Sequence, residues 1–376
     1  MSKAAELAAL IANVNKGSSL ANKNFIINGA MNVAQRGTSG TGFGASSGYF
    51  TVDRFGCFQA STAGRVTMTQ TSDGPEGFAN CMKFACTTAD TSVAAGEQFG
   101  FFTGLEGQDV QALGKGTSGA KSVTVSFWVK GNASATYVLE LYDWDNTRNI
   151  GQTFAVTTSW NRIELTFAGD TSGAFDDDNG GSLGLYFHLH AGSNLTSGTL
   201  NTSWGSVTAA NRCVGISSIF DSTSRTFFMT GLQMEIGEKA TEFEHEPFST
   251  TLSKCERYFK TSYEYGTYAG DVLSPTGSGS TSTAGCLNMT TAGNVNRAFG
   301  SIQFPVKMRD APTMVFYAPE SGTNDKARDI TSDVDIGIDP QDSCTIGEGG
   351  GGVQSTGTIN AVTDTLGYHY TATSEL

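Results

Sequence analysis

SVTVSFWVK, residues 122–130, is the stretch that decides the fold class. Its apolar residues recur at every second position, which is the period of a β-strand with one buried face. The side chains expected on that buried face are Val123, Val125, Phe127 and Val129. The stretch therefore predicts a strand whose valine and phenylalanine side chains lie in a hydrophobic core.

Further strands are predicted on both sides of this one. They lie at residues 65–69, 81–85, 137–142, 162–167, 183–189 and 225–233. Turn-forming clusters such as 72–75 (SDGP) and 179–181 (NGG) separate them. About eight to ten strands over roughly two hundred residues, without intervening helices, predict a jelly-roll-like β-sandwich.

Residues 24–55 lead the chain into this sandwich. They predict a first strand at 25–27, a polar crossing at 28–29, an apolar run at 31–34 and a loop rich in glycine and serine. Asp53 and Arg54 lie between aromatic residues, where a charge-assisted pair would fix the start of a strand. No metal, phosphate or nucleophile chemistry is visible in these residues.

The whole chain is predicted to be all-β, with one short helix before the first sandwich and another between the two sandwiches. We expect an N-terminal helix and linker at 1–23, the jelly-roll-like sandwich at 24–248, a connector helix at 249–265 and a second, smaller β-sandwich at 266–376. Strands of the last segment are predicted at 296–304, 313–318, 335–338, 357–364 and 367–372. Residues 348–352 (EGGGG) predict a mobile loop or a close approach of backbones.

The N-terminal helix has a single apolar stripe at helical spacing. The stripe consists of Leu7, Leu10, Ile11 and Val14. Because a helix of about four turns is marginal in isolation, the stripe needs a partner. We expect it to anchor the chain or to drive self-association, with packing onto its own sandwich as the alternative.

The composition excludes several functional classes. The chain has 36 Asp and Glu against 23 Lys and Arg, a formal net charge of −13, which argues against binding to nucleic acid or to an anionic membrane. No apolar run approaches the roughly 18 residues of a membrane span, and we expect no signal peptide. The 7 cysteines have no regular spacing, which favours buried thiols and assembly in a reducing cytoplasm over a disulfide framework.

Two separated groups of motifs resemble those of bacteriophage tail-fibre and virion-appendage proteins. The first group is 25–31 (FIINGAM), 35–38 (QRGT) and 53–55 (DRF). The second is 231–237 (GLQMEIG), 240–244 (ATEFE) and 252–259 (LSKCERYF), where Phe259 replaces the usual second tyrosine. The resemblance covers about residues 22–265.

This resemblance implies a fold and a function. Proteins of this kind carry a jelly-roll domain similar to carbohydrate-binding modules. The implied function is that of a non-enzymatic structural protein of the virion, most consistent with a tail fibre that contacts host surface glycans. The resemblance also implies a homotrimer, bound to other virion proteins through its N-terminal helix and assembled in the host cytoplasm. A capsid-decorating or vertex fibre, an adaptor protein and a polysaccharide depolymerase are the alternatives.

The candidate glycan contacts are four consecutive residues at the end of a predicted strand. Carboxylates beside exposed rings suit sugars, whose CH faces stack on the ring while their hydroxyl groups donate to the acids. The residues are Tyr142, Asp143, Trp144 and Asp145. Packing in the core or in a turn is the favoured interpretation, with glycan contact and then glycosidase chemistry behind it.

A second cluster of aromatic residues lies where the two predicted sandwiches meet. Five rings between 258 and 268 are more than a small connector would expose. We expect them to pack between domains or subunits. The residues chosen for this junction are Cys255, Tyr258, Phe259 and Tyr263.

Two stretches carry residues that bind metals in other proteins. His188 and His190 share a face of a predicted strand, but the spacing supplies no third or fourth ligand, so a surface or cross-strand pair is favoured over a zinc site. Residues 176–178 are three aspartates, but Phe187 stands where an EF-hand loop needs a glutamate. We therefore expect no cofactor, with a calcium site of another type as the alternative.

Overall fold

The computed structural model describes residue 3 and residues 23–271, 285–291, 297–329, 332–341, 344–356, 359 and 365–376. The chain is mostly β, with sandwich-like sheets, as the alternating stretches predict. Within these residues no helix is long and apolar enough to cross a membrane. The N-terminal stripe of Leu7, Leu10, Ile11 and Val14 lies outside the described residues and stays a prediction.

Thirteen antiparallel strands form the first two sheets. They are β1 (Ser39–Phe43), β2 (Gly48–Tyr49), β3 (Gly56–Ala60), β4 (Arg65–Thr71), β5 (Cys81–Thr88), β6 (Gln98–Glu106), β7 (Val123–Gly131), β8 (Ala135–Asp143), β9 (Arg148–Val156), β10 (Asn161–Phe167), β11 (Gly181–Ala191), β12 (Gly205–Ser206) and β13 (Thr226–Ile236). The six-stranded sheet has the order β1-β4-β5-β13-β7-β10, and the seven-stranded sheet has the order β12-β9-β8-β11-β6-β3-β2.

The two sheets pack face to face around one hydrophobic core. Phe127 of β7 meets Phe187 of β11 edge to face at 5.3 Å between ring centroids. Phe84 of β5 stacks on Phe101 of β6 at 5.3 Å. Such rings each bury a large apolar area, so they supply much of the energy that holds the sheets together.

A third sheet contains the remaining strands and closes on itself. Its strands are β14 (Phe259–Thr261), β15 (Leu287–Thr291), β16 (Ala298–Gln303), β17 (Thr313–Tyr317), β18 (Lys326–Asp329), β19 (Val334–Pro340), β20 (Gly350–Ser355) and β21 (Thr365–Thr373). The ladder runs β21-β15-β16-β20-β19-β18, and β18 pairs back onto β21. The predicted second sandwich is therefore corrected to a six-stranded barrel with a core of its own.

The long strand β21 explains why this sheet closes. Its first half pairs with β15 on one edge and with β18 on the other. Its second half pairs with β14 and β17. Because both edges of the first half are used, the ladder forms a ring and leaves no free edge there.

Between residues 23 and 271, three short helices lie between strands: α1 (Gly107–Val110), α2 (Ser193–Thr196) and α3 (Phe248–Glu256). The structure ends α3 at Glu256, so Tyr258 and Phe259 follow the helix rather than lie on one of its faces. Since β14 belongs to the third sheet, the chain enters that sheet soon after α3. The boundaries 1–23, 24–248, 249–265 and 266–376 stay a prediction.

Several strands differ from the sequence prediction. Residues 25–27 form no strand, although the Phe25 N–H donates to the carbonyl of Met234 in β13. The observed strands that the sequence did not predict include β6 and β9 of the seven-stranded sheet. Gly350 to Gly352 belong to β20 rather than to a mobile loop, and a Cβ on Gly350 would lie 2.1 Å from the Ile302 carbonyl oxygen. The alternative of a close approach between backbones is the one observed.

Candidate functional site

Five neighbouring strands of the seven-stranded sheet each place one aromatic ring on its outer side. Together with one ring just after β8, these rings form what we call the aromatic face, and all six are partly exposed. Its members are Tyr49 of β2, Phe58 of β3, Phe102 of β6, Tyr186 of β11, Tyr142 of β8, and Trp144. The core-facing residues alternate with them, since Phe101, Leu185 and Phe187 are buried on the inner side.

The rings of the aromatic face contact one another around Tyr186. Phe102 stacks on Tyr186 with centroids 5.3 Å apart, and Phe58 meets the same ring edge-on at 5.3 Å. Tyr142 and Trp144 approach it at 5.9 and 6.2 Å. The Trp144 indole N–H donates to the Tyr186 hydroxyl at 3.1 Å. The result is a continuous apolar surface with phenol groups in it.

Glycine residues form the floor on which these rings lie. A Cβ on Gly184 would come within 2.6 Å of the Trp144 ring and 2.7 Å of the Tyr186 ring. A Cβ on Gly104 would lie 2.7 Å from the Trp144 ring. The rings therefore lie close against the backbone of the sheet because no side chain lifts them. The side chain of Leu376 also lies against this floor beside Gly104.

A buried ionic network borders the aromatic face on β8 and β11. Arg212 binds Glu140 through two nitrogens, at 2.9 and 2.7 Å, and its guanidinium lies 5.2 Å from the Tyr142 ring centroid. His188 Nε2 lies 2.8 Å from Glu140 Oε2, the oxygen that also accepts from Arg212, and the His188 and Glu140 side chains are 0% exposed. Asn149 also donates to Glu140 at 2.6 Å.

The charge state of this network follows from its hydrogen bonds. Burial alone would raise the pKa of Glu140, but the hydrogen bonds from His188 and Arg212 outweigh burial and hold the pKa at about 2. Burial lowers the pKa of His188. A neutral His188 therefore donates from Nε2 to an ionised Glu140, which leaves Nδ1 as an acceptor with no partner in the described part of the chain.

The four predicted glycan contacts have different surroundings. Tyr142 and Trp144 belong to the aromatic face. Asp143 is 0% exposed and pairs with Lys115 at 2.5 Å, so its carboxylate holds the loop after β8 and does not face solvent. Asp145 is exposed, and one of its oxygens accepts the Asp176 N–H at 3.0 Å.

The four predicted junction residues are all buried near the start of the third sheet. The Tyr258 hydroxyl donates to Glu106, and the Arg54 guanidinium lies 3.4 Å from the Tyr258 ring centroid. Phe259 lies under Arg36 at 3.8 Å. Tyr263 stacks on His369 at 4.0 Å between centroids. Cys255 is 0% exposed beside them.

The two groups of sequence motifs meet at this junction. Asp53 accepts hydrogen bonds from Gln35 at 3.0 and 2.6 Å, and Gln35 in turn donates to the Phe259 carbonyl at 2.9 Å. Burial raises the pKa of Asp53 to about 6, although Arg36 and Gln35 act against it. Arg54 does not pair with Asp53; it binds Glu375 and the Gly104 carbonyl. The motif residues thus tie the sandwich to the third sheet.

The two histidines of β11 do not form a surface pair. Both are 0% exposed, and a β-bulge between them pairs His188 with Gly100 and His190 with Phe99. Bulges re-aim side chains, and the two rings face different glutamates, Glu140 for His188 and Glu97 for His190. In the acidic stretch, Asp178 caps its own turn by accepting the Gly180 N–H at 2.8 Å.

Sequence reasoning missed most of the aromatic face. Phe58, Phe102 and Tyr186 are far apart in sequence, and only the strand register brings them together. A signal for part of it was present, because glycines at Gly100, Gly104 and Gly184 interrupt strands without turn residues around them. Glycine inside a strand often marks a close approach of another group.

No protein-family model and no curated protein sequence matches the chain. Among solved structures it is similar to a CBM4 structure, at 13% identity and a TM-score of 0.30, over 56% of this chain and 98% of that one. A family 11 carbohydrate-binding module from Clostridium thermocellum matches at 14% identity and a TM-score of 0.27, over 50% of this chain and 91% of that one. The tailspike protein 4 of bacteriophage CBA120 matches at 11% identity and 0.30, over 57% of this chain and 22% of that one. At such scores the function has to be argued from the chain's own residues.

Proposed function

We propose that this chain is a non-enzymatic, glycan-binding structural protein of a bacteriophage virion, most consistent with a tail fibre. The observation that supports glycan binding is the aromatic face, a continuous set of six partly exposed rings across five strands. Sugar rings stack their CH faces on such surfaces, and neighbouring phenol and guanidinium groups supply hydrogen bonds to hydroxyls. Tyr142, Trp144 and Tyr186 are the expected contacts.

The carboxylates near this face support a binding role over a hydrolytic one. Glycosidases need two carboxyl groups that flank the scissile bond. Asp145 is the one exposed acid among the predicted contacts, whereas Glu140 and Asp143 of β8 are both buried in ion pairs with Arg212 and Lys115. Neither is placed to protonate or attack a sugar bound on the aromatic face.

The proposed location of the chain on the virion rests on the sequence motifs. The architecture proposed with it has a sandwich and a barrel joined at α3, with the N-terminal segment as the anchor to other virion proteins. A homotrimer is part of this proposal, as is assembly in the host cytoplasm. Light scattering of the purified chain should give about three times the mass of 39.5 kDa. A monomer at micromolar concentration would contradict the trimer.

The glycan-binding proposal is tested with the full chain on an array of bacterial surface polysaccharides and their oligosaccharides. We expect W144A and Y142A each to weaken binding roughly tenfold, which is about 1.4 kcal/mol, because each removes one stacking surface. Y265A is the matched control, since Tyr265 is exposed but lies in the segment after α3 rather than on the aromatic face. Equal affinities of W144A, Y142A and the unchanged chain would contradict the proposed site.

Two further measurements separate the function from its alternatives. New reducing ends after incubation with a bound polysaccharide would establish a depolymerase.

Labelled antibody against the chain should decorate the tail of intact particles. Decoration of the head would instead establish a capsid or vertex fibre, with the glycan-binding face unchanged.

A further inference from the structure

Three side chains of the types that bind metals form a cluster at the end of the sandwich, away from the aromatic face. It consists of Asp90 after β5, Glu97 before β6 and His190 of β11. One ligand atom from each lies within 4.8 Å of the other two, and all three side chains are buried. They come from three separate segments, so only the fold brings them together.

The charge of this cluster is unbalanced. Its two carboxylates face one imidazole, and among the described residues no lysine or arginine nitrogen lies within 4.0 Å of either carboxylate. Other buried acids of the sandwich differ, because Glu106 pairs with Arg257 and Asp143 with Lys115. Buried carboxylates of like charge are costly unless a cation compensates them.

The hydrogen bonds around the cluster fix the direction of its ligand atoms. His190 Nδ1 lies 2.7 Å from the Ser218 hydroxyl, which also accepts the Phe220 N–H at 3.0 Å. When Nδ1–H donates to Ser218, the Nε2 lone pair points toward Glu97, 3.1 Å away. Metal-binding histidines are held in this way by a partner on the other nitrogen.

Asp90 is held as firmly as the histidine. One of its oxygens accepts the Thr62 hydroxyl at 3.0 Å and the Ala63 N–H at 2.8 Å. Its own N–H donates to the Phe220 carbonyl at 2.8 Å, which connects it to the segment that carries Ser218. His190 and Asp90 are therefore positioned before any ion arrives, which lowers the ordering cost of binding.

We propose that Asp90, Glu97 and His190 bind one divalent first-row transition-metal ion, with Zn²⁺ as the best fit. An imidazole and two carboxylates are three ligands of the type that zinc accepts, and a fourth position remains for water. Ca²⁺ prefers six to eight oxygen ligands, which this cluster does not supply. The ion joins the segments before β6, after β5 and at the end of β11, independently of glycan binding.

Calorimetric titration of the untagged, chelator-treated full chain with ZnCl₂, MnCl₂ and CaCl₂ tests this proposal. We expect one Zn²⁺ per chain, Mn²⁺ weaker, Ca²⁺ weakest, and a rise in melting temperature that chelator reverses. E97Q keeps the size of the side chain but removes its charge, and should weaken Zn²⁺ binding more than roughly 100-fold. S218A removes only the partner of Nδ1 and should weaken it about 10- to 100-fold.

D177N is the matched control, because Asp177 belongs to the exposed acidic stretch before β11 and should leave Zn²⁺ affinity unchanged. If E97Q does not fold, D90N takes its place. The proposal is overturned if the unchanged chain binds no Zn²⁺ below 100 µM, on the order of 5 kcal/mol of binding free energy. It is also overturned if Ca²⁺ binds more tightly than Zn²⁺, or if E97Q binds Zn²⁺ as the unchanged chain does.

Discussion

His188 and His190 lie two residues apart on the same strand, yet their surroundings differ in charge. The Glu140 carboxylate opposite His188 is bound by Arg212, so that network is balanced. The Glu97 carboxylate opposite His190 has a second acid, Asp90, beside it, and in the described part of the chain no lysine or arginine nitrogen lies within 4.0 Å of it. Arg212 balances the charge of Glu140 at the first site, whereas the second site sets two carboxylates against one imidazole.

The comparison shows how little the spacing of two residues says about their roles. The β-bulge between the histidines changes the register with β6, so each ring meets partners from other parts of the chain. Arg212 follows a short 3₁₀ turn at 209–211 and reaches β8, whereas no arginine among the described residues pairs with Glu97 or Asp90 at the end of β11. A single arginine separates a structural network from a candidate metal site.

The largest expected difference between the two sites is in the free energy of unfolding after each glutamate charge is removed. E140Q leaves the Arg212 guanidinium, whose side chain is 18% exposed, without its carboxylate, and should lower the free energy of unfolding by roughly 3 kcal/mol or more. E97Q in metal-free protein removes one of two uncompensated carboxylates and should change it by less than about 1 kcal/mol. Urea unfolding of chelator-treated protein measures both. An equal loss in the two variants would contradict the contrast between the sites.

The dependence of stability on acid should also distinguish the two sites. The pKa of Glu140 is about 2 in the folded state, below its ordinary value of 4.5, so its ionised form stabilises the fold above pH 4.5. This contribution, on the order of 3 kcal/mol, is lost as the pH falls from 4.5 toward 2.

Unfolding free energies measured across this pH range should therefore fall less steeply in E140Q than in the unchanged chain. E97Q is the control, because it leaves Glu140 and its partners in place and should keep the steep fall. A steep fall that persists in E140Q would mean that other carboxylates cause it.

A substitution on the floor of the aromatic face tests whether the cluster of Asp90, Glu97 and His190 is independent of that face. Because a Cβ on Gly184 would overlap the rings of Trp144 and Tyr186, G184A should cost about 1–3 kcal/mol and weaken glycan binding. Zn²⁺ affinity should not change, since Asp90, Glu97 and His190 lie at the other end of β11. A loss of Zn²⁺ affinity in G184A would show that the aromatic face and the metal cluster are coupled.

The failure to predict β6 has a physical cause. The strand β6 is covered on both sides, with Phe99 and Phe101 in the core and Phe102 on the aromatic face, so its hydrophobicity does not alternate. Glycines at Gly100 and Gly104 interrupt the pattern further. In β7, by contrast, Val123, Val125, Phe127 and Val129 alternate with polar residues over most of its length.

The candidate site was predicted only where its residues are neighbours in sequence. Tyr142 and Trp144 were found because they stand together at the end of β8, and the same reasoning included Asp143, which is buried against Lys115. Exposure of a carboxylate depends on whether a distant lysine reaches it. The residue types and their spacing carry no information about that lysine.

The sequence by itself determined the β-strands with alternating faces and the turns between them, because both depend on residues a few positions apart. It also determined the motif residues that join α3 to the sandwich. Only the tertiary structure decided that the last segment closes into a barrel, that six rings form one face, and that His188 and His190 meet different glutamates. These features depend on strand register and on a single bulge, which place side chains from distant segments within a few ångströms of one another.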